Sequence, residues 1–197
     1  MQFDYFCRMK KIAIFASGSG TNMERIASFF AENRNVEVSL VVCNNPIAGV
    51  IQRAERLGIP VEMIDRKSFY DTDSLTQKLK FLKIDLVVLA GFLWLVPNHL
   101  LKTFPDRIIN IHPALLPSYG GKGMYGEKVH QAVIAAKERF SGITIHYVNE
   151  QYDEGAVIFQ QKIELAPDET PESLASRIHE LEYRHFPQVI DRLLSDN

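Results

Sequence analysis

Residues 108–117, with the sequence IINIHPALLP, contain two side chains that could take part in chemistry. Asn110 and His112 are separated by one apolar residue, so a strand here would project both to the same side. An amide donates and accepts hydrogen bonds, and a histidine can also move a proton near neutral pH. Together they suit a reaction that builds negative charge on a carbonyl oxygen. Taken alone, the stretch fits a structural His-Pro turn slightly better than an active site.

A glycine-containing loop, SGSGTN at residues 17–22, separates the first predicted strand from the first predicted helix. Its glycines would let the backbone approach a ligand, and the free N–H groups of a helix N-terminus favour phosphate. The loop matches neither the Walker pattern nor G-x-G-x-x-G. A phosphate site and a plain turn capped by Thr21 are therefore both open.

One carboxylate, Asp153, lies in the connection that follows the predicted strand at 142–148. Carboxylates in such turns are usually solvated. Asp153 gains a catalytic interpretation only if the connection folds back toward His112, because a neighbouring aspartate orients an imidazole and raises its pKa.

Four further histidines give no signal of a metal site. His130, His146, His179 and His185 are interpreted as structural. No pair of them has the spacing of a zinc protease or a zinc finger, so we predict that the protein binds no metal. The absence of a G-x-S-x-G motif argues against a covalent acyl-enzyme and favours direct transfer between two bound substrates.

Short apolar runs that alternate with helical patterns predict the elements that position these residues. Strands are expected at 11–16, 36–43, 61–64, 85–91 and 107–111, and helices at 21–33, 47–57 and 70–82. Runs of Val, Ile and Leu that are apolar on both faces are typical of a parallel sheet covered by helices.

The last third of the chain has a different pattern. Strands at 142–148 and 156–165 are joined by a short polar connection, which predicts a hairpin. A long helix follows at 170–194, with Thr170 as its N-cap. The predicted fold class is therefore α/β, a three-layer Rossmann-like and mostly parallel sheet with an antiparallel C-terminal hairpin region.

Length, charge and cysteine content exclude several classes of protein. The 197 residues favour a single domain at 10–197 after a disordered or frayed leader at 1–9. A net charge of −2 and a pI of about 6.3 give no net positive charge that would attract nucleic acid or an anionic membrane. Two cysteines make no disulfide framework, which favours reduced thiols and a cytoplasmic location. The longest apolar run, 86–96, is shorter than the roughly 20 residues that span a bilayer.

Taken together in their order along the chain, these motifs resemble those of the glycinamide ribonucleotide formyltransferases of purine synthesis. The matching segments are the strand, SGSGTN and helix at 12–33, CNNP at 43–46, VVLAGFLWLVP at 87–97, NIHPALLPSYGGKGMYG at 110–126, SGITIHYVNEQYDEGAVIFQ at 141–160 and LEYRHFP at 181–187. The likeness covers nearly the whole chain from residue 10 on. It implies the formyltransferase fold, 10-formyltetrahydrofolate as co-substrate, and transfer of its formyl group to the amine of glycinamide ribonucleotide.

The resemblance also implies roles for single residues. Asn110 would hydrogen-bond the oxyanion of a tetrahedral intermediate, and His112 would stabilise it and assist proton transfer. Asp153 would pair with His112 and relay the proton of the amine through water.

Binding residues follow from the same resemblance. The phosphate would be held by backbone N–H groups and one side chain, from Gly18, Ser19, Gly20, Thr21 and Asn22. Arg177 and Glu182, on one face of the last helix, would approach the ribonucleotide. The folate would lie among Leu93, Trp94, Leu95, Val96, Val148, Tyr152 and Asp153. Trp94 stands where relatives often carry Arg, and the segment 120–123 is expected to be a flexible lid.

Three alternatives stay open from the sequence. A flavodoxin-like FMN carrier would explain the phosphate loop but leaves NIHPALLP and YDEG without a role. A hydrolase would release formate from the formyl folate without an amine acceptor, and a non-catalytic relative would bind folate only.

The expected partners are small-molecule substrates, with no nucleic acid and no membrane, and the protein is expected to be a monomer or weak homodimer.

Overall fold

The computed structural model describes residues 8–32 and 35–196, and in those ranges seven strands form one sheet flanked by helices. The strands are β1 (Lys10–Ala16), β2 (Val36–Cys43), β3 (Val61–Met63), β4 (Leu86–Leu89), β5 (Ile108–His112), β6 (Phe140–Tyr147) and β7 (Val157–Glu164). The helices are α1 (Thr21–Ala31), α2 (Gly49–Arg56), α3 (Arg66–Tyr70), α4 (Ser74–Phe81), α5 (Asn98–Thr103), α6 (Glu127–Ala135) and α7 (Pro171–Ser195).

The sheet has the strand order β3-β2-β1-β4-β5-β6-β7. Strands β1 to β5 are parallel, whereas β6 is antiparallel to both of its neighbours. Strand β7 therefore runs in the same direction as β1 to β5. The predicted α/β fold, with a mostly parallel sheet and an antiparallel C-terminal hairpin, is confirmed.

The two faces of the sheet bury separate clusters of apolar side chains. On β1, Ile12 and Ile14 belong to the cluster that includes α1 and α7, while Ala13 and Phe15 belong to the cluster that includes α4. All four side chains are fully buried. Because burying a side chain such as Ile or Phe contributes about 1.5–3 kcal/mol, β1 is held firmly from both sides. The loop that follows it starts from a rigid support.

The helix predicted at 70–82 is confirmed only as α4, and its predicted start is wrong, because residue 70 is the end of a separate helix, α3. Asp65 and Ser68 form a capping box that starts α3 before residue 70. Between the helices, Thr72 Oγ1 donates to Ser68 O at 2.8 Å and accepts from the N–H of Ser74. Such local side-chain bonds compete with the helical backbone pattern, which explains the break. Helix α5 is a further element that the sequence did not predict.

Two predictions reach beyond the described residues. Helix α1 ends at Ala31, and residue 33, where its end was predicted, lies outside the described ranges. Residues 1–7 of the predicted leader also lie outside them. Arg8, which is described, forms an ion pair with Asp85.

Helix α7 begins where the sequence predicts. The side chain of Thr170 accepts a hydrogen bond from the N–H of Ser173, and Pro171 occupies the first turn. The helix is 25 residues long and packs against α1, α6 and β6, so one of its faces reaches the middle of the molecule. Across residues 8–32 and 35–196, no helix combines the length and apolar character that crossing a membrane would need.

Candidate active site

A cavity of about 520 Å³ brings most of the predicted site residues together. This volume lies in the usual range for a site that binds a small molecule. The residues at its wall come from the ends of β1, β4 and β5, the connection after β6, and helices α6 and α7. They include Gly18, Ser19, Gly20, Thr21, Asn22, Leu93, Asn110, His112, Tyr152, Asp153 and Glu182.

The SGSGTN loop joins β1 to α1 at one end of this cavity. Gly20 is the N-cap residue of α1 and has a φ of 78°, so the cap that the plain-turn alternative assigned to Thr21 is wrong. A Cβ atom on Gly20 would lie 2.6 Å from Val50, so only glycine fits. Among the described residues, no side chain caps α1. Its first N–H groups therefore remain available to an anion.

Asn110 uses both N–H groups of its amide inside the protein. Its Nδ2 donates to His146 Nε2 at 3.1 Å and to Asp153 Oδ1 at 3.3 Å. His146 Nδ1 donates to the carbonyl of Tyr147 at 2.8 Å. Since a carbonyl can only accept, Nδ1 of His146 carries the proton and Nε2 is the acceptor. His146 thereby sets the orientation of the Asn110 amide.

His112 is held in one tautomer by the chain that follows β5. Its Nε2 donates to the carbonyl of Tyr119 at 2.8 Å, so the second nitrogen, Nδ1, carries the lone pair in the neutral ring. Nδ1 lies 3.5 Å from Asp153 Oδ2. Burial lowers the pKa of His112 below its usual 6.5, and the Asp153 carboxylate offsets part of this effect. The ring is therefore neutral at pH 7 and able to accept a proton.

Asp153 lies between the two histidines because the connection after β6 folds back over β5. The backbone of Asp153 is in the left-handed region, with a φ of 58°. Its Oδ2 accepts from the N–H of Gly121 at 2.9 Å. Burial alone would raise the pKa of Asp153, but His146, His112 and the Gly121 N–H together hold it below its usual value. The carboxyl is therefore ionised beside a neutral His112.

Glu182 lies at the phosphate-loop end of the cavity. Only 5% of its surface is exposed, and its Oε2 accepts from Asn22 Nδ2 at 2.8 Å. Burial raises the pKa of Glu182 to about 7 despite the hydrogen bond from Asn22. A ligand in the cavity therefore meets a carboxyl group that is about half protonated near neutral pH.

Arg177 is not among the residues at the wall of the cavity. Its guanidinium pairs with Glu169 and donates to the carbonyl of Glu164 at 2.9 Å. Five residues along a helix correspond to a rotation of about 140°, so Arg177 and Glu182 do not share a face, and that expectation is wrong.

The structure divides the predicted folate residues into two groups. Leu93, Tyr152 and Asp153 line the cavity, whereas Leu95, Val96 and Val148 do not. Val96 is buried in the cluster that includes α4, and Val148 packs against that cluster. Trp94 lines a neighbouring, more open cavity, where the Arg66 guanidinium lies 5.2 Å from the centre of its ring.

His146 and His130 belong to the site, although no sequence pattern indicated them. His146 faces Asn110 across the antiparallel pair of β5 and β6, so only the strand register could have identified it. His130 lies on α6 and lines the cavity. Within the part of the chain that the structure describes, no three His, Cys, Asp or Glu side chains are grouped to hold a metal ion.

Comparisons with known proteins agree with this geometry. A model of the formyl transferase family matches residues 10–190. The chain is 40% identical to a chloroplastic phosphoribosylglycinamide formyltransferase of Arabidopsis thaliana, covering 96% of this chain and 67% of that protein. It is 38% identical to the phosphoribosylglycinamide formyltransferase of Bacillus subtilis (strain 168), covering 96% and 97%.

Solved structures give the same result. The crystal structure of phosphoribosylglycinamide formyltransferase from Bacillus halodurans superposes with a TM-score of 0.85 at 38% identity, covering 94% of this chain and 96% of that one. The enzyme of that name from Anaplasma phagocytophilum gives a TM-score of 0.86 at 32% identity, covering 96% and 89%.

Proposed function

Because the chain belongs to the formyl transferase family, we propose that it transfers the formyl group of 10-formyltetrahydrofolate to the amine of glycinamide ribonucleotide. The observation that carries this proposal is the meeting of Asn110, His112 and Asp153 in one cavity with a phosphate-type loop. The amine nitrogen bonds to the formyl carbon, the bond from that carbon to N10 of the folate breaks, and tetrahydrofolate leaves after N10 receives a proton.

His112 receives the proton that the attacking amine must lose. The tautomer set by Tyr119 directs the Nδ1 lone pair toward Asp153. When the proton arrives, an imidazolium forms 3.5 Å from the ionised carboxylate, which stabilises it. Asp153 relays the proton onward through water toward the leaving nitrogen. The positive ring also stabilises the oxyanion that forms at the same time.

Asn110 supplies a hydrogen bond to that oxyanion. One of its N–H groups stays on His146, which keeps the amide oriented. The other N–H makes the longer bond, 3.3 Å to Asp153, and this bond is the one that the oxyanion replaces. Asp153 is then free to pair with the imidazolium of His112, so the two changes support each other.

Binding follows the layout of the cavity. The phosphate lies at the N-terminus of α1, on the N–H groups of Gly18 to Thr21. Glu182 accepts from the substrate amine or ribose hydroxyls, and the folate ring lies beside Leu93 and Tyr152. Contacts of the folate with Trp94, Leu95, Val96 and Val148, and of the ribonucleotide with Arg177, remain predictions.

One assay tests the proposal against its nearest alternative. Consumption of 10-formyltetrahydrofolate is followed spectroscopically with and without glycinamide ribonucleotide. We expect turnover only when the ribonucleotide is present. Equal rates in both reactions would instead identify a hydrolase. No reaction in either would indicate a non-catalytic protein that only binds folate. The match to the formyl transferase family argues against the alternative of a flavodoxin-like FMN carrier.

We extend the proposal to the setting of the enzyme. Residues 10–197 act as one domain on small molecules, in the cytoplasm, as a monomer or weak homodimer. Two plant relatives of this chain are named chloroplastic. Light scattering at several protein concentrations measures the oligomeric state.

A further inference from the structure

Two buried polar atoms beside the cavity have no hydrogen-bond partner in the described part of the protein. They are Oδ1 of Asn22 and Nδ1 of His130, and both residues line the cavity. Only 2% of the surface of His130 is exposed. Leaving such a group unpaired costs about 1–3 kcal/mol, so buried polar atoms normally have partners. Their position indicates that a ligand supplies those partners.

The two atoms belong to one row of polar side chains along α7. Asn22 donates to Glu182, and His179 lies one turn before Glu182 on the same face of the helix. Helix α6 packs against α7 and places His130 close enough to His179 and His112 for both to lower its pKa. The row therefore leads from the phosphate loop to the catalytic histidine.

The electrostatics of this row favour a neutral ligand group. Burial lowers the pKa of His130 to about 4, so its ring is uncharged at neutral pH. Glu182, with a pKa raised to about 7, would repel an anion whenever it ionises. A phosphate group is therefore unsuited to this position. A hydroxyl group suits it, because it can donate a hydrogen bond to Asn22 Oδ1 and can donate to or accept from a ring nitrogen.

We propose that Asn22 Oδ1 and His130 Nδ1 form hydrogen bonds with the ribose hydroxyls of the substrate, and that His130 selects ribose over deoxyribose. This proposal rests on the proposed function. A ribonucleotide carries its phosphate, its ribose and its reacting amine in that order. The cavity presents the phosphate loop, then this row, then His112, so the groups of the substrate and of the protein correspond.

The test compares substitutions of His130 on three substrates: glycinamide ribonucleotide and its 2′-deoxy and 3′-deoxy analogues. Wild type should prefer the ribonucleotide to at least one analogue by about 10-fold or more, as expected for a site that pairs with a hydroxyl. His130→Phe should raise KM for the ribonucleotide by about 10-fold, change kcat little, and remove that preference.

Two amide substitutions separate a hydrogen-bonding role from a structural one. His130→Asn places a polar atom near the position of Nδ1 and should keep most of the preference. His130→Gln places it near Nε2 and should lose the preference, although its size and polarity are similar. His185→Phe is the control, because this ring packs on Phe159 at 5.0 Å and is not part of the cavity wall.

An unchanged preference in His130→Phe, or equal preferences in the Asn and Gln variants, would overturn the proposal. Wild type that accepts all three substrates equally would overturn it too. Failure of the proposed function is distinguishable, because wild type itself would then show no turnover that depends on the ribonucleotide.

Discussion

At the scale of single residues, the site combines groups in different protonation states within a few ångströms. His112 is neutral because burial lowers its pKa, and Asp153 is ionised because its pKa is held below its usual value. An acceptor and a stabilising charge are therefore both in place before substrate binds. The proton can move to His112 without rearrangement of the protein, which is how a preorganised site lowers a barrier.

Removing any of the three central groups should abolish most of the activity. We expect His112→Ala and Asn110→Ala each to lower kcat at least about 100-fold, the usual effect of losing an oxyanion donor. Asp153→Asn should be similarly severe. Steady-state kinetics measures the loss, and circular dichroism verifies the fold. Rates near wild type in a folded variant would contradict these roles.

His146 should act through Asn110 as a positioning residue. His146→Leu removes the acceptor that orients the amide, so kcat should fall about 10-fold or more while KM for both substrates changes little. His146→Gln offers a replacement acceptor and should recover part of the rate. If the Gln and Leu variants are equally slow, orientation of Asn110 is not the role of His146.

The pH profile of kcat/KM should reflect the lowered pKa of His112. A base with a folded-state pKa below 6.5 is fully active above that pH and loses activity as the pH falls through its pKa. Asp153→Asn removes the carboxylate that raises the pKa of His112, so the acid limb should move to lower pH. A second limb, from the substrate amine, should be the same in both enzymes. An acid limb that moves upward in Asp153→Asn would contradict the assignment.

At the scale of elements, one turn after β5 orients two of the three catalytic side chains, those of His112 and Asp153. The carbonyl of Tyr119 holds His112, and the N–H of Gly121 holds Asp153. Between them, Gly120 has no room for a side chain: a Cβ atom would lie 2.6 Å from Leu116 Cδ2 and 3.2 Å from Asp153 Cβ. The turn therefore couples the end of β5 to the connection that follows β6.

Substitution of Gly120 should disturb catalysis through this turn. In Gly120→Ala, the new methyl group must displace Leu116 or Asp153, so we expect kcat to fall about 10-fold or more with the fold intact. Tyr119→Phe is a matched control, because it removes only the exposed hydrogen bond to Glu138 and leaves the carbonyl in place. Equal effects of the two substitutions would show that the turn does not position the catalytic groups.

At the scale of the whole molecule, a buried carboxyl group in the cavity, that of Glu182, lowers the free energy of unfolding. Glu182 is buried in a position where its ionised form is disfavoured, and Asn22 offers it a single hydrogen bond. The native pKa of about 7 lies above the ordinary 4.5. The native state therefore loses stability relative to the unfolded chain as the pH rises from about 4.5 to about 7, and the loss is complete above 7.

Glu182→Gln should reveal this cost as a pH-dependent gain in stability. Near pH 4 the variant and wild type should unfold with similar free energies. Above pH 7 the variant should be more stable by up to about 3 kcal/mol, the free-energy equivalent of the pKa difference. Urea denaturation at both pH values measures the difference. A gain that is the same at both pH values would show that ionisation of Glu182 does not matter.

The sequence alone determined most of the local features and the order of the strands. Apolar runs predicted the parallel strands, the SGSGTN loop predicted the strand-to-helix turn, and the spacing of Asn110 and His112 placed both toward one side. These features depend on side-chain period, turn chemistry and capping, which act over a few residues.

Only the tertiary structure decided which distant groups meet. The antiparallel register of β5 and β6 places His146 on Asn110, and the fold-back after β6 places Asp153 3.5 Å from His112. The packing of α6 on α7 brings His130 to the cavity. Register and helix packing are set by the joint burial of many apolar side chains, so no single stretch of sequence contains them.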